Sequence, residues 1–261
     1  MKKLVLLFVL LPLLHSCSSD DNTGVSESPL TTNGTLLKKA VMTLGTDVIS
    51  EDYFYNGNKI DKIIRSDGSR FQYTYTGNLI SKNDYYQNDV FKVSEQYTYD
   101  FSQKIIEVKT FNYTNPSVIV RRADFVYNPD GTVWVKEYQG DTTNQTNLVR
   151  DKKIFLFSNG DVQKIEQYLV VNGNNETRTL SYTYDTKNTI GNSVMGFNKV
   201  KNWNAFNSGN SHNVVTEYTM TTENATTSTY NYSYTYNSYD YPVVTTLPGG
   251  VGTFEYFYQQ P

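Results

Sequence analysis

The chain has few of the side chains that metal sites and nucleophilic enzymes use most often. It contains one cysteine, Cys17, and two histidines, His15 and His212, in 261 residues. A cysteine–histidine zinc site needs several such ligands, and a serine–histidine–aspartate triad needs a histidine beside the reacting group. His212 lies among Asn and Ser residues that predict an exposed turn, so we interpret it as an ordinary surface residue. The sequence therefore predicts no metal site, no cofactor and no nucleophilic catalysis.

Positive charge is also scarce. The chain has 23 Lys and Arg residues against 26 Asp and Glu residues, a net charge of -3. A protein that binds nucleic acid needs a clustered basic surface to neutralise phosphates. We therefore expect no nucleic-acid partner.

The first residues have the order of a secretory signal. Two lysines precede an apolar run, 4–14, which is too short to span a bilayer comfortably. The tetrapeptide Leu-His-Ser-Cys that ends at Cys17 resembles the lipobox of bacterial lipoproteins, in which the cysteine becomes the lipid-modified first residue. The resemblance implies a signal peptide over 1–16 and attachment to a membrane through lipid on Cys17.

Residues 17–34 are polar, small and without hydrophobic period, so they cannot bury enough apolar area to offset the entropy of ordering. We interpret them as a flexible tether between the lipid and a folded domain over 35–261. The acidic residues after Cys17 resemble the surface-export signal of some lipoproteins. We expect the outer membrane as the location, with its exposed face favoured.

Aliphatic residues are too few to form the core alone. Hydrophobic residues make up 38% of the chain, and 23 tyrosines belong to that fraction. Aromatic residues must therefore supply much of the buried surface. Because aromatic residues and Thr fit half-buried, pleated strands, the composition predicts an all-β protein.

A short pattern recurs through most of residues 35–258: two aromatic residues one position apart, then a turn, then an aliphatic strand. Tyr53-Phe54-Tyr55 before Asn56-Gly57 is matched by Tyr73-Thr74-Tyr75 before Thr76-Gly77, and looser copies follow. Aromatic residues two apart point to one face of a strand, and such turn residues tolerate the positive φ of tight hairpins. Copies lie 20 to 30 residues apart between Tyr55 and Tyr184, the length of two strands and two turns. Each copy therefore predicts one hairpin.

The pattern is interrupted between residues 186 and 215. Five apolar residues there fall three or four positions apart, which is the spacing of a helix. They are Ile190, Val194, Phe197, Val200 and Trp203. We predict one short helical segment near 190–206, laid over one end of the sheet.

These hairpin units are similar to divergent tyrosine–aspartate repeats of Rhs-type surface proteins. The chain more closely resembles a group of uncharacterised bacterial outer-membrane lipoproteins with a porin-like β fold. The resemblance rests on the lipobox, on the aromatic hairpins and on the interruption around Gly196–His212. It implies an antiparallel meander of repeated hairpins curled into a barrel or half-barrel, and it implies no activity.

Two features leave other interpretations open. Acidic residues near strands would serve a carboxylate-dependent glycan hydrolase, although charges on strands more often mark solvated faces. Trp134 and Trp203 are candidates for a ligand-binding platform, against the simpler interpretation that aromatic residues form the core. The acidic candidates are Glu51, Asp52, Asp61, Asp84, Asp89, Glu95, Glu107, Glu137 and Glu166.

A barrel that crosses the membrane needs an outward apolar band. The residues opposite the tyrosines are instead Thr, Ser, Gln and Lys, and the mean hydropathy is -0.53. We therefore expect a domain that is anchored by lipid and does not span the membrane. Our interpretation is a non-enzymatic binding or accessory module with a glycan or an outer-membrane protein as its partner. The alternatives are the glycan hydrolase and a purely structural envelope protein.

Overall fold

The computed structural model describes residues 35–114, 117–171, 174–200, 210–222 and 226–259. These residues form seventeen β-strands and two short 3₁₀ turns. The strands are β1 (Leu36–Leu44), β2 (Asp47–Asn56), β3 (Lys59–Arg65), β4 (Ser69–Thr76), β5 (Leu79–Gln87), β6 (Val90–Tyr99), β7 (Ile105–Asn112), β8 (Ile119–Tyr127), β9 (Val133–Gly140), β10 (Gln145–Leu156), β11 (Val162–Val171), β12 (Asn174–Asn188), β13 (His212–Thr221), β14 (Thr227–Asn231), β15 (Ser233–Tyr236), β16 (Pro242–Thr246) and β17 (Gly252–Gln259). The predicted signal peptide, Cys17, the tether and Trp203 lie outside the described residues.

The strands form one antiparallel sheet that nearly closes into a barrel. Each strand from β1 to β13 pairs with the next strand in sequence. β15 pairs with β16, β16 with β17, and β17 with β1, which brings the end of the sheet back to its start. Tyr232 alone separates β14 from β15, so one segment of chain pairs first with β13 and then with β16. The predicted all-β meander of hairpins is confirmed.

Alternation along the strands separates an inner face from an outer face. Antiparallel partners share a face, so Tyr53 points the same way as Ile63, its partner, and as Phe71, the partner of Ile63. The face that these residues share is the inner face of the barrel. It contains most of the buried apolar residues. Its largest cluster includes Ile105, Val108, Phe125, Val135 and Ile165, with Tyr97, Tyr99 and Tyr184 packed against it.

The second tyrosine of the repeat joins neighbouring hairpins. At several of the pairings one strand carries a β-bulge, an extra residue that disrupts the ladder of hydrogen bonds. In β5 the bulge falls at Ser81, directly after Ile80. The hydroxyl of Tyr99, which belongs to the next hairpin, donates a 2.7 Å hydrogen bond to the carbonyl of Ile80.

Four other tyrosines make the same contact on their neighbouring strand. Each hydroxyl donates to the carbonyl of the residue that directly precedes a bulge, where the ladder is interrupted and a backbone oxygen needs a partner. The pairs are Tyr55 with Leu37 at 2.8 Å, Tyr184 with Val162 at 2.7 Å, Tyr234 with Val214 at 2.7 Å and Tyr258 with Pro242 at 2.6 Å. Five tyrosines of the repeat, including Tyr99, thus tie their strands to a preceding strand.

Residues 189–200 cross one end of the barrel, which we call the plugged end; the opposite end is the far end. Val194 packs into the core beside Ile60 of β3. Gly196 approaches the β4–β5 turn so closely that a Cβ atom would lie 2.6 Å from the carbonyl oxygen of Asn78. Its φ of +73° also favours glycine. The position therefore requires glycine for both space and backbone conformation.

The predicted short helical segment is only partly described. It contributes one 3₁₀ turn, Phe197–Lys199, and otherwise forms turns between Ile190 and Val200. Residues 201–206 of that segment lie outside the described residues.

Removing the hydroxyl of Tyr99 should destabilise the barrel, because the Ile80 carbonyl loses its donor. We expect Tyr99→Phe to lower the free energy of unfolding by about 1–3 kcal/mol in urea denaturation, the cost of an unpartnered buried carbonyl. Tyr127 occupies the same position of the repeat, and within the described residues its hydroxyl makes no hydrogen bond, so Tyr127→Phe is the control. Equal losses in the two variants would contradict the role of the Tyr99 contact.

Candidate functional site

The inner face is aromatic at the tyrosine layers and becomes charged toward the far end, where acidic and basic residues lie. Glu51 is two residues before Tyr53, and Glu95 is two residues before Tyr97, so each carboxylate shares the inner face with its tyrosine. Arg65 is the cross-strand partner of Glu51. Strands β2, β3 and β6 therefore place two acids and one base on the inner wall.

Both carboxylates accept hydrogen bonds from tyrosine hydroxyls. The Tyr53 hydroxyl donates to Glu51 Oε2 at 2.6 Å, and the Tyr97 hydroxyl donates to Glu95. Glu51 Oε1 also lies 3.3 Å from Arg65 Nε. The two acids thus have fixed positions, and one of them has its charge balanced by arginine.

Burial controls the protonation of this group. It raises the pKa of Glu95 above its ordinary value of 4.5, although hydrogen bonds from Tyr97 and Thr110 oppose the shift. The Thr110 hydroxyl lies 3.5 Å from Glu95 Oε1. Burial also raises the pKa of the phenols of Tyr53, Tyr73 and Tyr97, and the nearby carboxylates add to that effect. These phenols therefore keep their protons at neutral pH, and those of Tyr53 and Tyr97 act as hydrogen-bond donors.

A cavity of about 440 Å³, the far-end cavity, lies beside Glu95 on the inner wall of β3 to β7. Phe71 and Tyr85 form part of it, with ring centroids 5.2 Å apart. Arg65 and Asn83 also line it. The Oδ1 atom of Asn83 is buried and has no hydrogen-bond partner in the part of the chain that the structure describes. Aromatic surface and convergent polar groups together are typical of a small-molecule site.

A second cavity of about 380 Å³, the plugged-end cavity, lies among the β6–β7, β8–β9 and β10–β11 turns. Its inner wall is apolar, with Ile105, Phe125 and Ile154 from the largest buried cluster. Lys104 and Lys199 lie at its rim with several amide side chains. The two cavities share no described lining residue and differ in chemistry.

The inner face also holds a buried ion pair between β9 and β10. Lys152 Nζ lies 2.7 Å from Glu137 Oε1, and the two side chains are 3% and 2% exposed. Burial lowers the pKa of Lys152, and the Glu137 carboxylate opposes that shift. Neither residue lines either cavity, so we assign the pair a structural role.

The interpretation of His212 as an ordinary surface residue in an exposed turn is corrected by the structure. His212 begins β13, and its Nδ1 atom lies 2.7 Å from Oδ2 of Asp161, whose side chain is 1% exposed. The Ser211 N–H donates to the other oxygen of Asp161 at 2.6 Å. A buried carboxylate at the β10–β11 turn therefore holds the start of β13. The partners are 51 residues apart, so local composition did not reveal the contact.

The predicted aromatic platform does not coincide with either cavity. Trp134 lies on the outer face of β9, where its ring is tilted against Tyr168 at a centroid distance of 5.5 Å. A ligand role for Trp134 stays a prediction, and Trp203 lies outside the described residues.

Of the acidic candidates, Glu51, Glu95 and Glu137 face inward, whereas the others face outward or lie in turns. Glu51 and Glu95 each lie two residues before the first tyrosine of a repeat. This spacing is the sequence feature that distinguishes them from the other acidic candidates. Arg65 and Asn83 carry no such signal, because their neighbours are assembled by strand pairing.

Among the described residues, no helix has the length and apolarity to cross a membrane. The same residues contain no group of three or more His, Cys, Asp and Glu side chains able to hold a metal ion.

Comparison with known proteins relates this barrel to porin-like structures. The chain matches no protein-family model and no curated protein. It is similar to a porin-like protein from Bacteroides vulgatus, with a TM-score of 0.57 and 13% identity over 87% of this chain and 100% of the other. It is also similar to a porin-like protein from Bacteroides uniformis, with a TM-score of 0.51 and 8% identity over 85% and 96% of the two chains. The chain therefore has a porin-like β-barrel fold, as the resemblance in its sequence implied.

The raised pKa of Glu95 predicts a pH dependence of stability. Protonated Glu95 stabilises the fold fully below the ordinary pKa of 4.5, and this contribution is lost as the pH rises through the folded value. We expect the wild type to lose stability relative to Glu95→Gln between about pH 4 and about pH 8, measured by urea denaturation. Glu255→Gln alters an exposed carboxyl on the outer face of β17 and should show no comparable change. A difference for Glu95→Gln that stays constant with pH would contradict the burial effect.

Proposed function

We propose that the protein is a lipid-anchored, non-enzymatic module of the bacterial outer membrane that binds a glycan in the far-end cavity. The observation that carries the proposal is the combination of aromatic rings, a carboxyl group, a guanidinium and an unpartnered amide oxygen around one cavity of the barrel interior. A purely structural envelope protein has no need of such a cavity.

Carbohydrate suits the far-end cavity because a sugar ring has apolar faces and hydroxyl edges. Phe71 and Tyr85 provide aromatic surface for the faces. Glu95, Asn83 and Arg65 provide acceptors and donors for the hydroxyls. A sugar hydroxyl would also give the Asn83 oxygen the partner that it lacks, and a buried polar atom without a partner is costly.

The charged side chains of the outer face favour a barrel that is surrounded by water and does not span the membrane. Opposite charges pair along β5, β8 and β11 on this face, and each pair has at least one partly exposed side chain. A lysine or arginine that faces lipid at mid-membrane costs about 2–4 kcal/mol in a spanning barrel. The pairs are Lys82 with Asp84 at 2.7 Å, Arg122 with Asp124 at 3.1 Å and Lys164 with Glu166 at 2.7 Å. Lipid on Cys17 would then supply the attachment.

Glycan binding is tested with neighbouring residues that point to opposite faces. Tyr85 lines the far-end cavity, whereas Tyr86 lies on the outer face against the Arg70 guanidinium. We expect Tyr85→Ala to weaken binding at least about tenfold on a glycan array and in calorimetry, because a central aromatic contact is lost. Tyr86→Ala should bind like the wild type. Absence of glycan binding by the wild type, or equal binding by both variants, would overturn the proposal.

A carboxylate-dependent glycan hydrolase is the second candidate, and one observation favours it. Glu95 combines a raised pKa with a position beside the cavity, the condition for a general acid. Against it, Glu51 and Glu95 already accept tyrosine hydroxyls, which suits ordered acceptors in a binding site. Glycan hydrolysis by the wild type that Glu95→Gln abolishes would establish the enzyme and refute the non-enzymatic proposal.

Lipid attachment is tested at Cys17. We expect the wild type to incorporate labelled palmitate and to fractionate with outer membranes, because several acyl chains hold a protein stably on a bilayer. Cys17→Ser should lose both the label and that location, whereas Ser19→Ala should keep them. Proteolysis of intact cells then decides the face, and a domain that is protected until the cells are broken is not on the surface.

A further inference from the structure

The plugged-end cavity has an apolar wall that the proposed glycan site does not use. Its volume of about 380 Å³ falls within the roughly 300–1,000 Å³ of small-molecule sites. A polar ligand would find few partners against this wall, whereas a hydrocarbon chain would bury its surface there. The apolar lining consists of Ile105, Phe125, Val133, Ile154, Leu156 and Val162.

The rim of the cavity is polar, and its charged side chains are positive. Lys104 and Lys199 lie at the rim, and no Asp or Glu is among the described residues that line the cavity. Lys104 Nζ lies 4.8 Å from the ring centroid of Tyr127, which also lines the cavity, so this ammonium group is held over the opening.

Three carboxylates lie near this rim, and all have partners. Asp130, at the β8–β9 turn, accepts hydrogen bonds from the backbone N–H and the hydroxyl of Thr132 at 3.0 and 2.6 Å. Asp100, at the β6–β7 turn, accepts the backbone N–H groups of Ser102 and Lys104 at 2.8 and 2.9 Å. Asp161 is buried against His212. The opening therefore presents ammonium groups to a ligand, while the nearby acids are occupied by the protein.

We propose that the plugged-end cavity binds a medium-chain fatty acid, with its hydrocarbon chain against the apolar wall and its carboxylate between Lys104 and Lys199. Charge complementarity selects an anionic head, and the apolar wall selects a hydrocarbon body. The position in the fold agrees with this ligand, because β1 begins at the same end of the barrel. Leu37 of β1 lies beside the Tyr55 hydroxyl near the β2–β3 turn, so the chain from Cys17 joins the domain at this end.

The proposal is tested by calorimetric titration of the full chain carrying Cys17→Ser, so that no covalent acyl chain competes. The probe is dodecanoate below its micelle concentration. We expect one saturable site, and affinity should rise about fourfold per methylene from octanoate to dodecanoate as more chain is buried.

Variants at the rim separate recognition of the head from burial of the chain. The double variant Lys104→Gln, Lys199→Gln should bind dodecanoate at least about tenfold more weakly and dodecanol unchanged, because only the charged head loses partners. Lys136→Gln removes the same charge from the outer face of β9 and should leave dodecanoate binding unchanged. Glycan binding should be unaffected throughout, since the far-end cavity has a separate lining.

Three results would overturn the proposal. One is the absence of saturable dodecanoate binding by a folded protein. Another is equal affinity for dodecanoate and dodecyltrimethylammonium, because the rim would then not select an anion. The third concerns Trp203 and Phe206, which lie outside the described residues. If dodecanoate binds only to the double variant Trp203→Ala, Phe206→Ala, these side chains and not a fatty acid occupy the cavity of the wild type.

Discussion

The hydrogen bond from a tyrosine hydroxyl to the carbonyl beside a β-bulge holds the neighbouring strands of this barrel together. A hairpin alone is marginally stable, and a bulge interrupts the ladder that would join it to its neighbour. An unpartnered buried carbonyl costs about 1–3 kcal/mol. Tyr99 gives the Ile80 carbonyl its donor, and Tyr184 does the same for Val162. Burial raises the pKa of both phenols, so the donor proton stays in place at physiological pH.

The tyrosine layers also determine where cavities remain in the barrel. Their rings occupy the barrel near the plugged end, and residues 189–200 cover part of that end through Val194 and Gly196. Beyond the first tyrosine of the repeat, the inner face carries Glu51 and Glu95, which the Tyr53 and Tyr97 hydroxyls hold in place. The second tyrosines of the repeat thus tie neighbouring strands, and the first tyrosines hold the carboxylates beside them.

The hairpins were predictable from sequence because a hairpin is local: two strands, a turn and their aromatic residues lie within about thirty positions. The closure of the sheet was not predictable from sequence, because it depends on the pairing of β1 with β17 across almost the whole chain. Bulges add a second difficulty, since each extra residue exchanges the inner and outer positions beyond it. Glu51 and Glu95 were recognisable as a pair only once their tyrosines were known to face inward. His212 and Asp161 are 51 residues apart, so no local sequence pattern predicts their contact.

The porin-like fold does not by itself decide whether the barrel sits in lipid or in water, because a barrel has two faces and function depends on their chemistry. A spanning barrel is apolar outside and polar inside. Here the inner face carries most of the buried aliphatic residues and tyrosines, and ion pairs such as Lys164 with Glu166 follow the outer face. A barrel of this kind excludes water from much of its interior, and cavities remain where the tyrosine layers end. The proposed ligand-binding role therefore suits this lumen better than a passage that conducts a ligand.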